Sequence, residues 1–410
     1  MAASFGVGWR QVAAGFLLLA ASGMIAATYS IVAVPLAAEF RPSRTVLMLA
    51  MTVLSGTSAV LAPLLGTLLD RMPLRRMMVA GGLCLALGYA AISLATSFAQ
   101  VLVVFGVLIA PANVLIGPVA ITVLLSRWFA AKRGRAIGIA IAGISAGGFL
   151  FPLVISGLLA AFAWRSALQA LALVLLLWTV PAALLVIDRP SDRGLHPDGA
   201  EAPAQLAQAE LGRAPLSASR ILSDPAFWMI ALTVAIVTAG MKGMITNLAP
   251  LAIDTGVSAA QAAPLVSVYS GCSFVAKLNF AALADRLGPR KLMFGALGGF
   301  AAGMACLTRA EAGYGMIALG VALTGLFGGL MVPAESYLAP RIFGQRGVGR
   351  AMGLLSGTIL LALLATPPLF GFIYDVTGSY TGMLWTFAAV AVAALFWVPF
   401  LRLHPREETP

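Results

Sequence analysis

A lysine at position 277 stands inside an apolar run, within the stretch YSGCSFVAKLNFAALADRLGPRK that covers residues 269 to 291. An ammonium group in hydrocarbon costs several kcal/mol unless it faces protein, water or a ligand. The chemistry open to it is the capture of an anion, because it offers three N–H donors and a full positive charge. Tyr269, Ser273 and Lys277 recur every four residues and so lie along one stripe of a helix. A second lysine, Lys242, sits in the run GMKGM beside Gly240 and Gly243, which permit a kink or a close helix approach. It can serve as a ligand, or it can snorkel outward, since it lies about 25 Å along the helix from residue 225. Asn247, Tyr29 and Asn113 are further polar side chains in apolar runs, each open to substrate contact or to bonding between helices.

These groups require elements that hold them at membrane depth. The chain has 410 residues, of which 60% are apolar and 10% charged, whereas soluble proteins carry about 25% charged residues. Apolar runs of about 20 residues recur along the whole length without period-2 alternation, which predicts an all-α integral membrane protein. Twelve spans are expected, at 11–38, 45–69, 74–96, 99–126, 134–162, 165–187, 225–253, 258–284, 290–308, 312–340, 348–373 and 380–402. The first begins directly after Arg10 and has no small-residue cleavage site, so it reads as an uncleaved span rather than a signal peptide. Between spans six and seven, the polar segment 188–224 reads as a linker with a short amphipathic helix near 201–212.

Charge assigns the sides. Arg41, Arg44, Arg165 and Arg309 fall on one side, Lys242 and Lys277 lie within spans, and the other 20 of the 26 basic residues fall on the opposite side. The positive-inside rule then places both termini and the linker in the cytoplasm of a cell inner membrane. This topology accounts for the net charge of +11. No basic cluster is interleaved with aromatics, so a nucleic-acid partner is not expected. Cys84, Cys272 and Cys306 show no metal or redox spacing, His196 and His404 lie in the linker and the tail, and no phosphate-binding GxxxxGK[ST] loop occurs. Neither an enzyme nor a cofactor is expected.

The chain also repeats itself. Pro35-Leu36-Ala37 matches Pro250-Leu251-Ala252, Ser55-Gly56 matches Ser270-Gly271, Asp70-Arg71 matches Asp285-Arg286, and Gly134-Arg135-Ala136 matches Gly349-Arg350-Ala351. Each pair is separated by the same 215 residues (270 minus 55). Two homologous six-helix bundles, 1–187 and 225–410, are therefore expected around the linker 188–224, with a cleft between them.

The turn after span two, Gly66 to Arg76, and its mate after span eight, Ala281 to Lys291, carry acids and arginines at matched spacing. This pattern resembles the cytoplasmic gate motif of the major facilitator superfamily, with Pro73 where the first copy usually has glycine. The resemblance implies a gate of Asp70, Arg71 and Arg75 in one copy and Asp285, Arg286 and Arg290 in the other. Gly8-Trp9-Arg10, Tyr29-Ser30 through Phe40, Trp128-Phe129 with Lys132 to Gly138, Phe227-Trp228 and the DVTGSY stretch 375–380 are similar to the bacterial monocarboxylate transporter and oxalate/formate antiporter branches.

In those branches a basic residue on helix eight, eight positions before the Asp-Arg turn, holds the substrate carboxylate. Lys277 lies eight before Asp285, so the resemblance implies that role for it and favours an inward direction over snorkelling. Lysine offers a point charge where the usual arginine offers a bidentate fork. The expected cargo is a small organic anion of the monocarboxylate class, moved by a monomer with a coupling proton or a counter-anion. Ser273 occupies the position where proton-coupled relatives carry an aspartate, which leaves the coupling open. Span five has Gly138, Gly143, Gly147 and Gly148, but Phe151-Pro152 replaces the Gly-Pro of drug/proton antiporters, so these glycines read as a packing face. Such an exporter of amphipathic compounds is the alternative. Glu335 reads as a structural partner of gate arginines, Asn279 as a bond to a neighbouring helix, and Tyr380 and Trp385 as an interfacial belt.

Overall fold

The computed structural model describes residues 2–129, 132–196 and 218–400. The side chains of Asp70, Arg71, Asp285 and Glu335 lie outside the described residues, as does the expected linker helix at 201–212. Spans one to three are α1 (Ala2–Phe40), α2 (Arg44–Arg71) and α3 (Leu74–Ser93). Span four comprises α4 (Phe98–Val104), a π-helical turn at Phe105–Ile109, α5 (Ala110–Leu115) and α6 (Pro118–Trp128). Spans five and six are α7 (Arg133–Ala161) and α8 (Trp164–Leu184), and the linker ends in a short α9 (Ala218–Leu222). Spans seven to nine are α10 (Pro225–Asp254), α11 (Ala259–Leu287) and α12 (Pro289–Leu307), followed by α13 (Tyr314–Thr377) and α14 (Thr381–Leu395).

Three predicted spans came out differently. Span four is interrupted because Pro111 removes an N–H from the ladder and Pro118 follows Gly117, which is extended at ψ −169°. Spans ten and eleven form one helix of 64 residues, where a turn was expected. Between Pro340 and Pro367 the chain has no Pro, Asn or Asp to stop a helix. Straight, α13 would measure roughly 96 Å, three times the hydrocarbon thickness, and two separate stretches, Tyr314–Ala334 and Gly353–Thr377, have crossing length and composition.

Among the described residues ten stretches are long and apolar enough to cross a membrane. The helices left out are α11 and α12. Gln261, Ser267, Ser270, Ser273, Lys277 and Asn279 make α11 more polar, and α12 opens on Arg290-Lys291.

The chain folds as two compact units, one of residues 1–207 with 259–267 and the other of 208–258 with 268–410. In the first, α1 crosses α7 backbone to backbone. A Cβ at Gly23 would overlap the main chain of Ile144, one at Gly143 that of Phe16, and one at Gly147 that of Ala20. Helices without a hydrophobic driving force between them associate by such close packing of small residues. Gly138 takes no part, with nothing within 4 Å of its Cβ position.

At one end of this unit Arg165, at the start of α8, donates to Glu39 Oε1 and to the carbonyls of Ser93 and Ala95, each at 2.9 Å. It thereby satisfies carbonyls at the end of α3 that have no partner inside the helix and ties them to α1. Arg165→Ala is expected to destabilise only slightly, because the pair is more than a third exposed. A melting experiment checks it.

In the second unit, α10 is enclosed by its neighbours. A Cβ at Gly240 would come within 2.8 Å of Phe300 of α12 and Phe387 of α14, and one at Gly243 within 2.6 Å of Phe370 and Thr366 of α13. The glycines beside Lys242 thus serve close approach. Gly325 and Gly329 of α13 press against α11 at Tyr269 and Ser273.

Candidate functional site

On α11, Lys277 is half-buried, while Tyr269 and Ser273 are 8% and 3% exposed. The predicted stripe is real as a line on the helix, but its upper part is a packing edge. The Ser273 hydroxyl lies 3.0 Å from where a Gly329 Cβ would stand, and a Gly325 Cβ would overlap the Tyr269 carbonyl. Asn279 donates to Val275 O of its own helix at 2.8 Å rather than to a neighbouring helix.

On α10, Lys242 is half-buried and Asn247 is 1% exposed. Asn247 Nδ2 donates to Gly243 O at 2.9 Å, and its Oδ1 has no hydrogen-bond partner. Five residues separate the two side chains, a rotation of about 140° at 100° per residue. Asn247 shares the stripe of Gly243, against α13, so it and Lys242 occupy different faces.

In the first unit, the Tyr29 hydroxyl donates to Leu47 O of α2 and the ring meets Phe105 edge-on at 5.3 Å. Asn113 is part of a polar bridge between three helices. Ser22 Oγ of α1 donates to Asn113 Oδ1 at 2.7 Å, and Asn113 Nδ2 donates to Ser58 Oγ of α2 at 3.4 Å. The helix break at Gly117-Pro118 lies just beyond Asn113, and a Cβ at Gly117 would overlap the Asn113 carbonyl. Sequence reasoning missed Ser22 and Ser58. The repeat held a signal for one of them, because Ser58 stands 215 residues before Ser273.

The two gate turns differ in backbone geometry. Pro73 precedes α3 at φ −60°, ψ 119°, whereas its mate Gly288 precedes α12 at φ 74°, ψ 156°. Only glycine adopts the second conformation without strain, and proline is confined to the first. Pro73 supplies no side-chain cap. That role falls to Asp188 at the end of span six, whose Oδ1 accepts from Arg75 N–H at 2.9 Å. The segment leading to Asp188 is itself tied down. Ile187 N–H donates to Gln11 Oε1 at 2.9 Å and Trp128 Nε1 donates to Ile187 O at 2.8 Å. Arg75, Arg286 and Arg290 are exposed.

Asp188→Ala is expected to weaken the α3 cap by about 1 kcal/mol, while Asp188→Asn, whose amide oxygen still accepts, preserves it. Melting temperatures of the two variants check it.

One expectation needs correction. Tyr380 is 4% exposed and packs on Tyr374 with ring centroids 4.7 Å apart, so it belongs to the interior, whereas Trp385 is 52% exposed. Tyr374, its aromatic neighbour on the preceding helix, covers the Tyr380 ring. Among the described residues no group of three or more His, Cys, Asp or Glu side chains is arranged to hold a metal ion.

Comparison with known proteins adds to this geometry. The Major Facilitator Superfamily profile matches residues 14–253 and 230–410. Human monocarboxylate transporter 11 is 30% identical over 388 residues, which cover 92% of this chain and 79% of that protein. Mouse monocarboxylate transporter 12 is 25% identical, covering 99% and 88%. Among solved structures, a bacterial homolog of the human lysosomal transporter Spinster, in an inward-facing and unoccupied conformation, superposes with a TM-score of 0.66 at 16% identity, over 97% of this chain and 96% of that one.

Proposed function

The chain belongs to the major facilitator superfamily, and from that premise we propose that it moves a small organic anion, a monocarboxylate, by alternating access with Lys277 as the carboxylate anchor. The observation that carries this reading is a half-buried lysine on α11, eight residues before the Asp-Arg turn. A cation in such a place attracts an anion and repels a cation. Relatives named monocarboxylate transporters support the same class.

The reading extends to the rest of the chain. Bundles 1–187 and 225–410 flank the linker 188–224, with both termini in the cytoplasm of an inner membrane. The Asp70-Arg71 and Asp285-Arg286 turns, with Arg75 and Arg290, close the cytoplasmic side. Within the second unit, Asn247, Tyr269 and Ser273 support the shape around Lys277, and Asn113 and Tyr29 are the polar groups of the first unit proposed to meet cargo. Charge balance is completed by a co-transported proton or an exchanged anion.

Uptake of labelled propionate into proteoliposomes carrying the purified chain tests the proposal. Accumulation above protein-free liposomes, competed by other monocarboxylates, is the expected result. Flux of lipophilic cations with none of carboxylates would sink it.

A further inference from the structure

The end of the first unit where α1 and α7 begin collects cations that cargo binding does not use. From residue 1 to residue 38, and again from residue 71 to residue 187, the chain has no acid. Charge topology sets how many bases lie at this end, but it does not set where they stand relative to one another. Packing does that. Trp9 of α1 meets Phe129, just past α6, edge-on at 5.5 Å, and the Arg135 guanidinium of α7 lies over the Trp9 ring at 5.7 Å from its centroid. A cation over an indole face is attracted by the ring quadrupole, which keeps Arg135 at the level of Trp9 and Arg10 on α1.

The end of span six is fastened to the same place, because Gln11 and Trp128 bond the N–H and the carbonyl of Ile187 at 2.9 and 2.8 Å. Asp188 then brings in the start of α3 through Arg75 N–H. Arg10, Arg75, Arg76 and Arg135, from three helices, are exposed. Apart from Asp70 of the gate turn, the acids at this end among the described residues are Asp188 and Asp192. Each already accepts from a backbone N–H, Asp188 from Arg75 at 2.9 Å and Asp192 from Arg189 at 3.0 Å. Like charges gathered in this way repel one another, and an anion among them lowers that energy. One turn along α7 from Arg135, Gly138 and Ile139 are also exposed, so the cations border apolar surface. Trp9, half-buried at the helix end, marks the level where an aromatic ring meets lipid headgroups.

We propose that this end of the first unit binds an anionic phospholipid, its phosphate at Arg10 and Arg135 and an acyl chain running past Gly138 and Ile139. Arg75 and Arg76 add to the attracting field. The combination of cations with an exposed apolar turn fits an amphiphile rather than a free anion, since a free anion gains nothing from Ile139. The bound lipid bridges α1 and α7 and so adds to the stability of the unit. Its binding lies within one unit and does not depend on Lys277.

Melting of the purified full chain in nonionic detergent, titrated with dioleoyl phosphatidylglycerol, dioleoyl phosphatidylcholine or inorganic phosphate, tests the proposal. The expected result is a saturable rise in melting temperature with phosphatidylglycerol and none with the other two. Arg10→Gln and Arg135→Gln each raise the half-saturating concentration about fivefold. Lys291→Gln, which removes one charge from an exposed position of the second unit, leaves it at the parent value. Equal losses in Lys291→Gln and Arg135→Gln mean that net charge alone attracts the lipid, and they overturn the proposal. So does an equal response to phosphatidylcholine, which is an effect of lipid in general, or to inorganic phosphate, which is an anion site without a lipid. Should a glutamine variant not melt cooperatively, phosphatidylglycerol retained through size exclusion and measured by mass spectrometry replaces the midpoint, and retention equal to the parent overturns the proposal.

Discussion

Proteoliposomes carrying Lys277→Ala are expected to take up labelled propionate between 10- and 150-fold more slowly than the parent at low substrate concentration, from the loss of about 1.5–3 kcal/mol of charge-assisted hydrogen bonding. Lys277→Arg is expected to retain transport, since the guanidinium supplies the same charge and a bidentate fork. The two substitutions separate charge from packing. Lys277 is half-buried, so alanine removes little contact area, and a loss shared by alanine and arginine would point to shape instead. The melting temperature of Lys277→Ala should move little, because an uncharged residue is easier to bury in an apolar run. Parent-like uptake by Lys277→Ala sinks the anchor role.

Gly147→Val is expected to prevent recovery of folded protein. A Cβ at this position would overlap the Ala20 carbonyl, and Gly143 and Gly23 bring the same two helices together at neighbouring levels. Backbone atoms cannot swing aside as a flexible side chain can, so α1 and α7 must separate along their shared length. Overpacking a core costs about 1–3 kcal/mol where side chains yield, and more where they do not. Gly138→Val is the control on the same helix, with nothing within 4 Å of its Cβ position, and should match the parent. Size-exclusion profiles and melting curves of both variants decide the matter. A monodisperse Gly147→Val that melts with the parent would refute the seam.

The helical membrane architecture was legible because each span must satisfy its own backbone in lipid, which writes a run of apolar residues into the sequence for each crossing. Lys277 and Lys242 were legible for the converse reason, since charge inside such a run is costly. Asn247 was legible as polar but not as to its direction, because its stripe could face a partner helix or open space. The Ser22–Asn113–Ser58 bridge joins residues up to 91 apart in sequence, and hydroxyls in apolar runs are too common to single out. The break in span four needed the local consequences of Pro111 and Pro118, whereas α13 tolerates Pro340 within a continuous helix.

By itself the sequence determined the class of protein, the repeat, the expected sidedness and the two unexplained cations, because membrane solvation and charge topology act residue by residue. Only the tertiary structure decided which polar groups are already engaged and where helices press together. It set Ser273 against Gly329, gave the Asn247 amide to the Gly243 carbonyl of its own helix and gave the α3 cap to Asp188. Those outcomes depend on where neighbouring helices press. That is set by close approach at glycines whose partners lie far away in the chain.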